Sequence, residues 1–201
     1  RSSLIRNGID TSMLVRDKSE GDDKYITVNS TWLRRKINKF RFYFERIIIF
    51  LFNKLNRADL FRVSIANTGI DISKMEEVRN ADIIHLHWIN QGFLSLSDIR
   101  KLAVLGKPIV WTMHDMWPCT GICHHARDCN KYHKKCNSCF YLGNKSGNDL
   151  STKIFLNKAE IYKGADITFV GCSKWLTGRA KESALLINKN VLDIPNTVDQ
   201  S

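Results

Sequence analysis

Short apolar runs alternate with helical patterns along most of the chain. The runs are mostly continuous and rich in β-branched and aromatic residues, which is typical of strands buried on both faces. Between them, apolar residues recur at the three- and four-residue spacing of amphipathic helices. The predicted strands are residues 11–15, 24–28, 61–66, 82–88, 108–114, 166–172 and 191–195, and the predicted helices are residues 32–57, 94–105, 151–163 and 174–184.

This order of elements predicts an α/β fold with a doubly wound, mostly parallel, Rossmann-like sheet. The chain has 201 residues, 43% of them hydrophobic, which is enough for one domain, placed here at residues 1–195. Residues 1–8 are typical of the end of a helix capped by Gly8, so we expect the first strand to precede this sequence. Ligands of such sheets bind beyond the carboxyl ends of the strands, so the residues that follow each strand are the candidates for function.

The charge of the chain narrows the range of partners. The formal net charge is +11, which favours nucleic acid, anionic lipid or phosphorylated small molecules. The cations are densest over residues 32–57, where Glu45 is the only acid. The longest apolar run, residues 47–52, is far shorter than the roughly 20 residues that a membrane-spanning helix needs.

Residues 32–57 also carry apolar side chains at helical spacing. In one interpretation the helix packs on the sheet and solvates its basic face; in the other it lies on an anionic membrane, with rings in the interface and cations on lipid phosphates. We expect the apolar residues to pack on the sheet and leave membrane contact through the cations open. The apolar positions are Ile37, Phe40, Phe42, Tyr43, Phe44, Ile47, Ile48, Ile49, Phe50 and Leu51.

Five of the six cysteines fall within residues 119–143, which predict a cysteine-rich loop inserted in the fold. Four are spaced C-x5-C-x6-C-x2-C, and the C-x2-C half is a recurring zinc half-site. Four thiolates would close a tetrahedral structural site, whereas free thiols, two disulfides or an iron–sulfur cluster are the alternatives. The predicted ligands are Cys123, Cys129, Cys136 and Cys139, with His124, His125 and His133 as substitutes.

His114 and Asp115 follow the strand predicted at residues 108–114. An imidazole there can hydrogen-bond a sugar hydroxyl or a phosphate, and the neighbouring carboxylate could fix its tautomer. The alternative is a structural pair that caps the strand. His85 and His87 alternate along one strand and should therefore point to the same face. Candidate substrate-binding residues at strand ends are His87, Trp88, Asn90, Trp117, Ser173 and Asn196.

Several motifs, in the same order, resemble a branch of the family 4 glycosyltransferases. The resemblance covers most of the chain from Asp71 onward. The motifs are D-I-I-H-L-H-W-I-N at residues 82–90, G-K-P-I-V-W-T-M-H-D-M-W-P at 106–118, T-G at 120–121 with C-H at 123–124, S-K-W-L at 173–176 and I-P-N-T-V-D at 194–199.

The resemblance implies two Rossmann-like domains that face each other across a cleft, the GT-B architecture. This chain would be the amino-terminal, acceptor-side domain, inactive alone, and residues 196–201 would begin the linker to a nucleotide-sugar domain. Such enzymes transfer a sugar from a nucleotide-sugar donor to a glycan or lipid-linked acceptor, retain the anomeric configuration and need no metal for catalysis. The histidine matching His114 lies near the transferred sugar, so a catalytic role is carried over to His114 and Asp115.

Two other functions remain open. A zinc-stabilised nucleic-acid-binding protein would suit the charge and the cysteines, but the cations are remote in sequence from the cysteines and the cysteine spacing matches no common DNA-binding finger. We therefore expect no nucleic-acid partner. A stand-alone carbohydrate-binding module is the second alternative. For the transferase, we expect a cytoplasmic location with peripheral contact to the inner face of the membrane through residues 32–57.

Overall fold

The computed structural model describes residues 2–17, 25–143 and 146–196. Its strands are β1 (Leu14–Val15), β2 (Ile26–Thr27), β3 (Ile84–Leu86), β4 (Ile109–Met113), β5 (Ile167–Gly171) and β6 (Asn190–Asp193). Its α-helices are α1 (Ser2–Arg6), α2 (Trp32–Phe52), α3 (Glu76–Asn80), α4 (Leu96–Val104), α5 (Leu150–Lys163) and α6 (Lys174–Lys181), and Trp117–Cys119 and Lys131–His133 form short 3-10 helices.

Four strands form a parallel sheet in the order β3-β4-β5-β6, and β1 and β2 form a second, two-stranded parallel sheet. Helices α4, α5 and α6 each connect two successive strands of the larger sheet. The prediction of an α/β fold with parallel strands is thereby confirmed. Strand order in the larger sheet follows the chain and does not reverse among the described residues, so the doubly wound topology itself remains a prediction.

Aromatic side chains fill the centre of the fold. Trp111 of β4 stacks on Phe169 of β5 with ring centroids 5.8 Å apart, and Tyr162 of α5 meets both rings edge-on. All three are buried, and burial of large apolar side chains is the main stabilising term of such a core. The contacts among these three rings therefore pack helix α5 against the middle of the sheet.

The prediction of a strand at residues 61–66 is wrong. In this segment only Val63 makes a β-bridge, an isolated antiparallel one to Cys123. Side chains of helix α2 form hydrogen bonds with the backbone of this segment, as a neighbouring strand would do. The Glu45 carboxylate accepts hydrogen bonds from Ile65 N and Ala66 N at 2.7 and 2.9 Å. Helix α2 thus supplies partners for backbone groups that a neighbouring strand would otherwise bond.

Helix boundaries differ from the predicted ones at several places. Helix α4 spans Leu96–Val104 and not residues 94–105, and α6 ends at Lys181 and not near residue 184. Helix α2 ends at Phe52, and Lys54 and Leu55 follow with left-handed φ values of 51° and 62°. Helix α5 is capped by Asp149, whose carboxylate accepts from Thr152 N, and not by Ser151. The predicted helix end near Gly8 is confirmed by α1.

Helix α2 presents most of its apolar side chains to the outside, which contradicts, for those residues, the expectation that they pack on the sheet. Its buried residues are the polar Asn38, Glu45 and Arg46, together with Ile49. The inward side holds an ion pair, Arg46 Nη2 to Glu45 Oε2 at 2.8 Å. The exposed apolar residues of this helix are Trp32, Leu33, Ile37, Phe40, Tyr43, Phe44, Ile47, Leu51 and Phe52, hereafter the α2 stripe.

No helix within the described ranges is both long and apolar enough to cross a bilayer. Lys24, which begins one predicted strand, lies outside the described residues, as do residues 197–201 of the predicted linker.

Candidate functional site at the carboxyl edge of the sheet

The candidate site lies where strands β3 and β4 end. Because the two strands are parallel and adjacent, His87 and Trp88 after β3 come beside His114 and Asp115 after β4. These four residues, Asn90 and the backbone between them line one open pocket. The structure therefore brings together most of the site residues predicted from the sequence.

Three imidazoles form a column along this edge. The ring centroids of His85 and His87 are 4.3 Å apart and those of His87 and His114 are 5.4 Å apart, both pairs stacked. His85 Nε2 lies 2.8 Å from Thr112 Oγ1, and His87 Nδ1 lies 3.1 Å from His114 Nε2. The prediction that His85 and His87 share a face is confirmed.

The environment of His85 and His87 favours the neutral form of both rings. Burial, together with the positive charges that His85 and His114 can carry, lowers the pKa of His87 to about 4. Burial and His114 also lower the pKa of His85. At neutral pH His87 is uncharged, so its Nδ1 and His114 Nε2 share one proton, carried by either nitrogen. His114 is exposed, and its Nδ1 has no hydrogen-bond partner among the described residues.

The Asp115 carboxylate, in contrast, is held by three donors. Oδ1 accepts from Trp117 N at 2.8 Å, and Oδ2 accepts from Trp88 Nε1 at 3.1 Å and lies 2.6 Å from His124 Nδ1. Burial alone raises the pKa of Asp115, but these hydrogen bonds outweigh it and hold the pKa below its ordinary value. Asp115 is therefore an ionised anchor for the loop that follows β4.

Asn90 contributes an acceptor that has no partner in the described structure. The side chain is 4% exposed, and its Oδ1 is buried without a hydrogen bond. A buried carbonyl oxygen without a donor is costly. Asn90 lines the same pocket as His87 and His114, which makes its unsatisfied oxygen a candidate ligand contact.

The remaining predicted site residues have structural partners. Trp117 is buried, and its indole Nε1 donates to Ser64 O at 2.8 Å, so it forms the wall of the pocket. The Ser173 hydroxyl accepts from Leu176 N and caps helix α6. Asn196 is exposed at the end of the described residues, where its N donates to Cys172 O at 3.3 Å.

The cysteines converge on a second cavity, next to the first. Residues 120–149 contain neither a strand nor an α-helix among those described. The four predicted ligands Cys123, Cys129, Cys136 and Cys139 all line this cavity. All six cysteines of the chain are free. Burial raises the pKa of both Cys136 and Cys139 to about 12, and no group of three or more His, Cys, Asp or Glu in the described ranges is arranged to hold a metal ion as it stands.

The histidines proposed as substitute ligands point elsewhere. His124 bonds Asp115 and Ser64, and His133 Nε2 lies 3.2 Å from Glu182 Oε2. His125 stacks on Trp175, with ring centroids 5.3 Å apart. None of the three is among the residues that line the cysteine cavity.

Lys158 is a functional candidate that the sequence reasoning missed. Its ammonium group is fully buried and donates to Trp117 O, Thr120 O and Gly121 O at 2.6, 3.0 and 3.0 Å. It also lies 3.4 Å from the Trp117 ring centroid, and burial lowers its pKa to about 7. The available signal was a lysine on the apolar stripe of a helix, three residues after Phe155 and three before Ile161.

Lys158 thus joins the two cavities. The segment it binds, residues 117–121, runs from the pocket behind Asp115 to the cysteine cavity.

Comparison of the chain with protein-family models, with curated proteins and with solved structures found no match in any of the three. The function of this edge of the sheet therefore rests on its geometry.

Proposed function

We propose that this chain is the acceptor-side half of a retaining glycosyltransferase of the GT-B type. The observation that carries the proposal is the convergence of His87, Trp88, Asn90, His114 and Asp115 on one pocket at the carboxyl edge of a parallel sheet. That edge is where α/β sheets bind their ligands. The resemblance to family 4 glycosyltransferases rests on the same residues.

The groups of the pocket suit a sugar acceptor. His114 Nδ1 and Asn90 Oδ1 have no partners among the described residues and could bind hydroxyl groups. The Trp88 side chain is 44% exposed and held by Asp115, and a fixed aromatic face can cover the apolar side of a pyranose ring. In this proposal His114 contacts substrate, while Asp115 holds Trp88. A nucleotide-sugar half supplied by a longer protein would close the cleft.

Turnover by such a longer protein tests the proposal. His114→Ala is expected to lower sugar transfer from the nucleotide sugar about 100-fold or more, the usual contribution of a positioned imidazole, with unchanged thermal unfolding. His133→Ala is the matched control, because His133 pairs with Glu182 away from the pocket. Wild-type turnover in His114→Ala would remove this residue from the site. Glycan binding without any transfer would favour a carbohydrate-binding module instead.

We further propose that the α2 stripe lies on an anionic membrane surface, on its cytoplasmic side. The stripe residues Leu33, Ile37, Phe40, Phe44, Ile47 and Leu51 alternate four- and three-residue steps along one exposed face. Cations accompany this face, among them Lys36, whose Nζ lies 3.9 Å from the Trp32 ring centroid. Apolar side chains flanked by cations match the interface of an anionic bilayer, and a lipid-linked acceptor would be presented there.

Structural zinc in the cysteine cavity is a third element of the proposal. Four thiols line one cavity, and the Gly121 N–H donates to Cys136 Sγ at 3.2 Å, a contact that favours the thiolate. The buried ammonium of Lys158 is electrostatically linked to Cys119, Cys123 and Cys136. Side-chain rotations would be needed to bring the four sulfurs to tetrahedral distances. Zinc here would stabilise the loop and leave no open position for catalysis.

Metal analysis of anaerobically purified protein tests the zinc site. We expect about one zinc ion per chain, released when Cys139 is replaced by serine, since four ligands are needed to close the site. Cys172→Ser is the matched control because Cys172 does not line the cavity. Protein without zinc, or with two disulfides by mass, would contradict this element and leave the proposed transfer untouched.

A further inference from the structure

We infer that His124 and Ser64 are positioning residues, which hold Asp115 and Trp88 in place at the pocket through a chain of hydrogen bonds that begins on helix α2. Neither residue lines the pocket, so both would act through another group. The inference deepens the proposed function, because it rests on this edge being the substrate site. Its test needs no sugar, so the two can fail independently.

The first links of the chain fix the tautomer of His124. His124 Nδ1 lies 2.6 Å from Asp115 Oδ2, and because the ionised Asp115 can only accept, Nδ1 must carry the proton. The second nitrogen, Nε2, lies 2.9 Å from Ser64 Oγ. The second-nitrogen partner of a histidine orients the ring, so Ser64 holds the imidazole against Asp115.

The next links come from helix α2. Arg46 Nη2 donates to Ser64 Oγ at 3.4 Å, and Arg46 Nη1 donates to Val63 O at 2.9 Å. Glu45, on the same turn, pairs with Arg46 and accepts from Ile65 N and Ala66 N. The buried ion pair thus fixes residues 63–66, and with them the Ser64 hydroxyl. Arg46 can only donate, so the Ser64 hydroxyl hydrogen is left to point toward His124.

The order Ser64, His124, Asp115 is also that of a hydrolase triad, but burial makes nucleophilic attack by this serine infeasible. Ser64 is 1% exposed, and its backbone N and O are bonded to Ile122 O and the Trp117 indole. A nucleophile must come within about 3–3.5 Å of the atom that it attacks. The exposed end of this series of hydrogen bonds is Trp88, whose indole Nε1 donates to Asp115 Oδ2 at 3.1 Å.

The state of the His124 ring is the first measurement. In protein labelled with ¹⁵N at histidine, long-range proton–nitrogen correlation spectra at pH 8 show which ring nitrogen carries a proton. We expect a proton on Nδ1 of His124, assigned by its loss in His124→Asn. An Nδ1 without a proton would overturn the inference, because Asp115 would then face a lone pair.

The second measurement is hydrogen exchange at the Trp88 indole N–H, and it separates positioning from mere packing. His124→Asn keeps a side-chain N–H near the Nδ1 position and is expected to keep exchange near that of the unmodified protein. His124→Ala removes the donor and is expected to speed exchange about tenfold, in line with a lost hydrogen bond to a charged group. The matched control, His125→Ala, removes the adjacent histidine, which contacts Trp175 and not Asp115.

Two results would contradict the inference. If His124→Asn and His124→Ala speed Trp88 exchange equally, the histidine acts through its volume and not through its N–H. If a fluorophosphonate probe labels Ser64 in the folded protein, the serine is a nucleophile and the hydrolase alternative replaces positioning. We expect no labelling at Ser64 and a clear difference between the two variants.

Discussion

The strand-end edge and helix α2 break the usual rule of apolar inside and polar outside in opposite ways. At the edge, polar groups such as Asp115 and Lys158 are partly or fully buried, and each has several hydrogen-bond partners. On helix α2, apolar side chains are exposed, Phe40 by 68%, and the charged pair Glu45–Arg46 is buried. Apart from Asn90 Oδ1, the first region satisfies these buried polar groups internally, whereas the second leaves apolar area uncovered within the described structure.

This difference separates two kinds of function. Buried polar groups with complete partners make a rigid, preorganised site, because an unsatisfied member would cost more than it contributes. A long apolar face left in water is unfavourable unless something covers it. We therefore place the chemistry at the strand-end edge and an interface on helix α2. Substitutions in each region should therefore have different effects, largest at the buried polar groups.

Removal of the buried ammonium should have the largest effect. Lys158→Met leaves Trp117 O, Thr120 O and Gly121 O without their donor, and each buried unsatisfied group costs about 1–3 kcal/mol. We expect the free energy of unfolding to fall by about 3 kcal/mol, measured by urea denaturation. Lys153→Met, exposed on the same helix, should change it by less than about 0.5 kcal/mol. Equal effects of the two variants would show that the buried contacts carry no stability.

Polar substitutions in the α2 stripe should weaken membrane binding. Phe40→Ser combined with Ile47→Ser removes two exposed apolar side chains, each contributing about 1 kcal/mol when half-buried in the interface. The apparent affinity for vesicles of phosphatidylserine and phosphatidylcholine, measured by co-sedimentation, should fall about 30-fold. Val104→Ser is the matched control, because Val104 is exposed outside this helix.

Other outcomes would reassign the α2 stripe. Dimerisation at micromolar concentration that the double variant abolishes, with no vesicle binding, would make a second copy of the chain the partner. Salt-sensitive binding to an oligonucleotide by unmodified protein, without vesicle binding, would favour the nucleic-acid alternative. Either result would end the membrane proposal while the strand-end site stands.

The smallest expected effect is on the pH dependence of stability. The pKa of His87 is about 4 in the folded protein and that of an ordinary histidine is 6.5, so the unfolded chain binds more protons between those values. Stability contributed by neutral His87 should therefore be present above pH 6.5 and be lost as the pH falls toward 4. His87→Gln should lose less stability over that window, measured by urea denaturation at each pH. If the free energy of unfolding falls equally in both proteins over this pH window, His87 is not held neutral by burial in the folded protein.

The sequence predicted the four strands of the larger sheet well, because apolar runs rich in β-branched residues and separated by helical patterns are typical of buried parallel strands. It placed both His87 and His114 at the carboxyl ends of strands, whereas their contact follows from the pairing of β3 with β4, which the structure shows. It failed at residues 61–66, where side chains of helix α2 satisfy the backbone, and at the orientation of that helix. An amphipathic pattern specifies that one face is apolar but not what lies against it.

By itself, then, the sequence determined the α/β class, the order of the strands along the chain and the identity of the residues at their ends, all of which follow from local periodicity. Tertiary structure alone decided the partners of those residues: the Ser64–His124–Asp115 chain, the burial of Lys158 and the outward face of helix α2. Hydrogen bonds between residues 50 or more positions apart depend on how elements pack in space, and no local pattern encodes that arrangement.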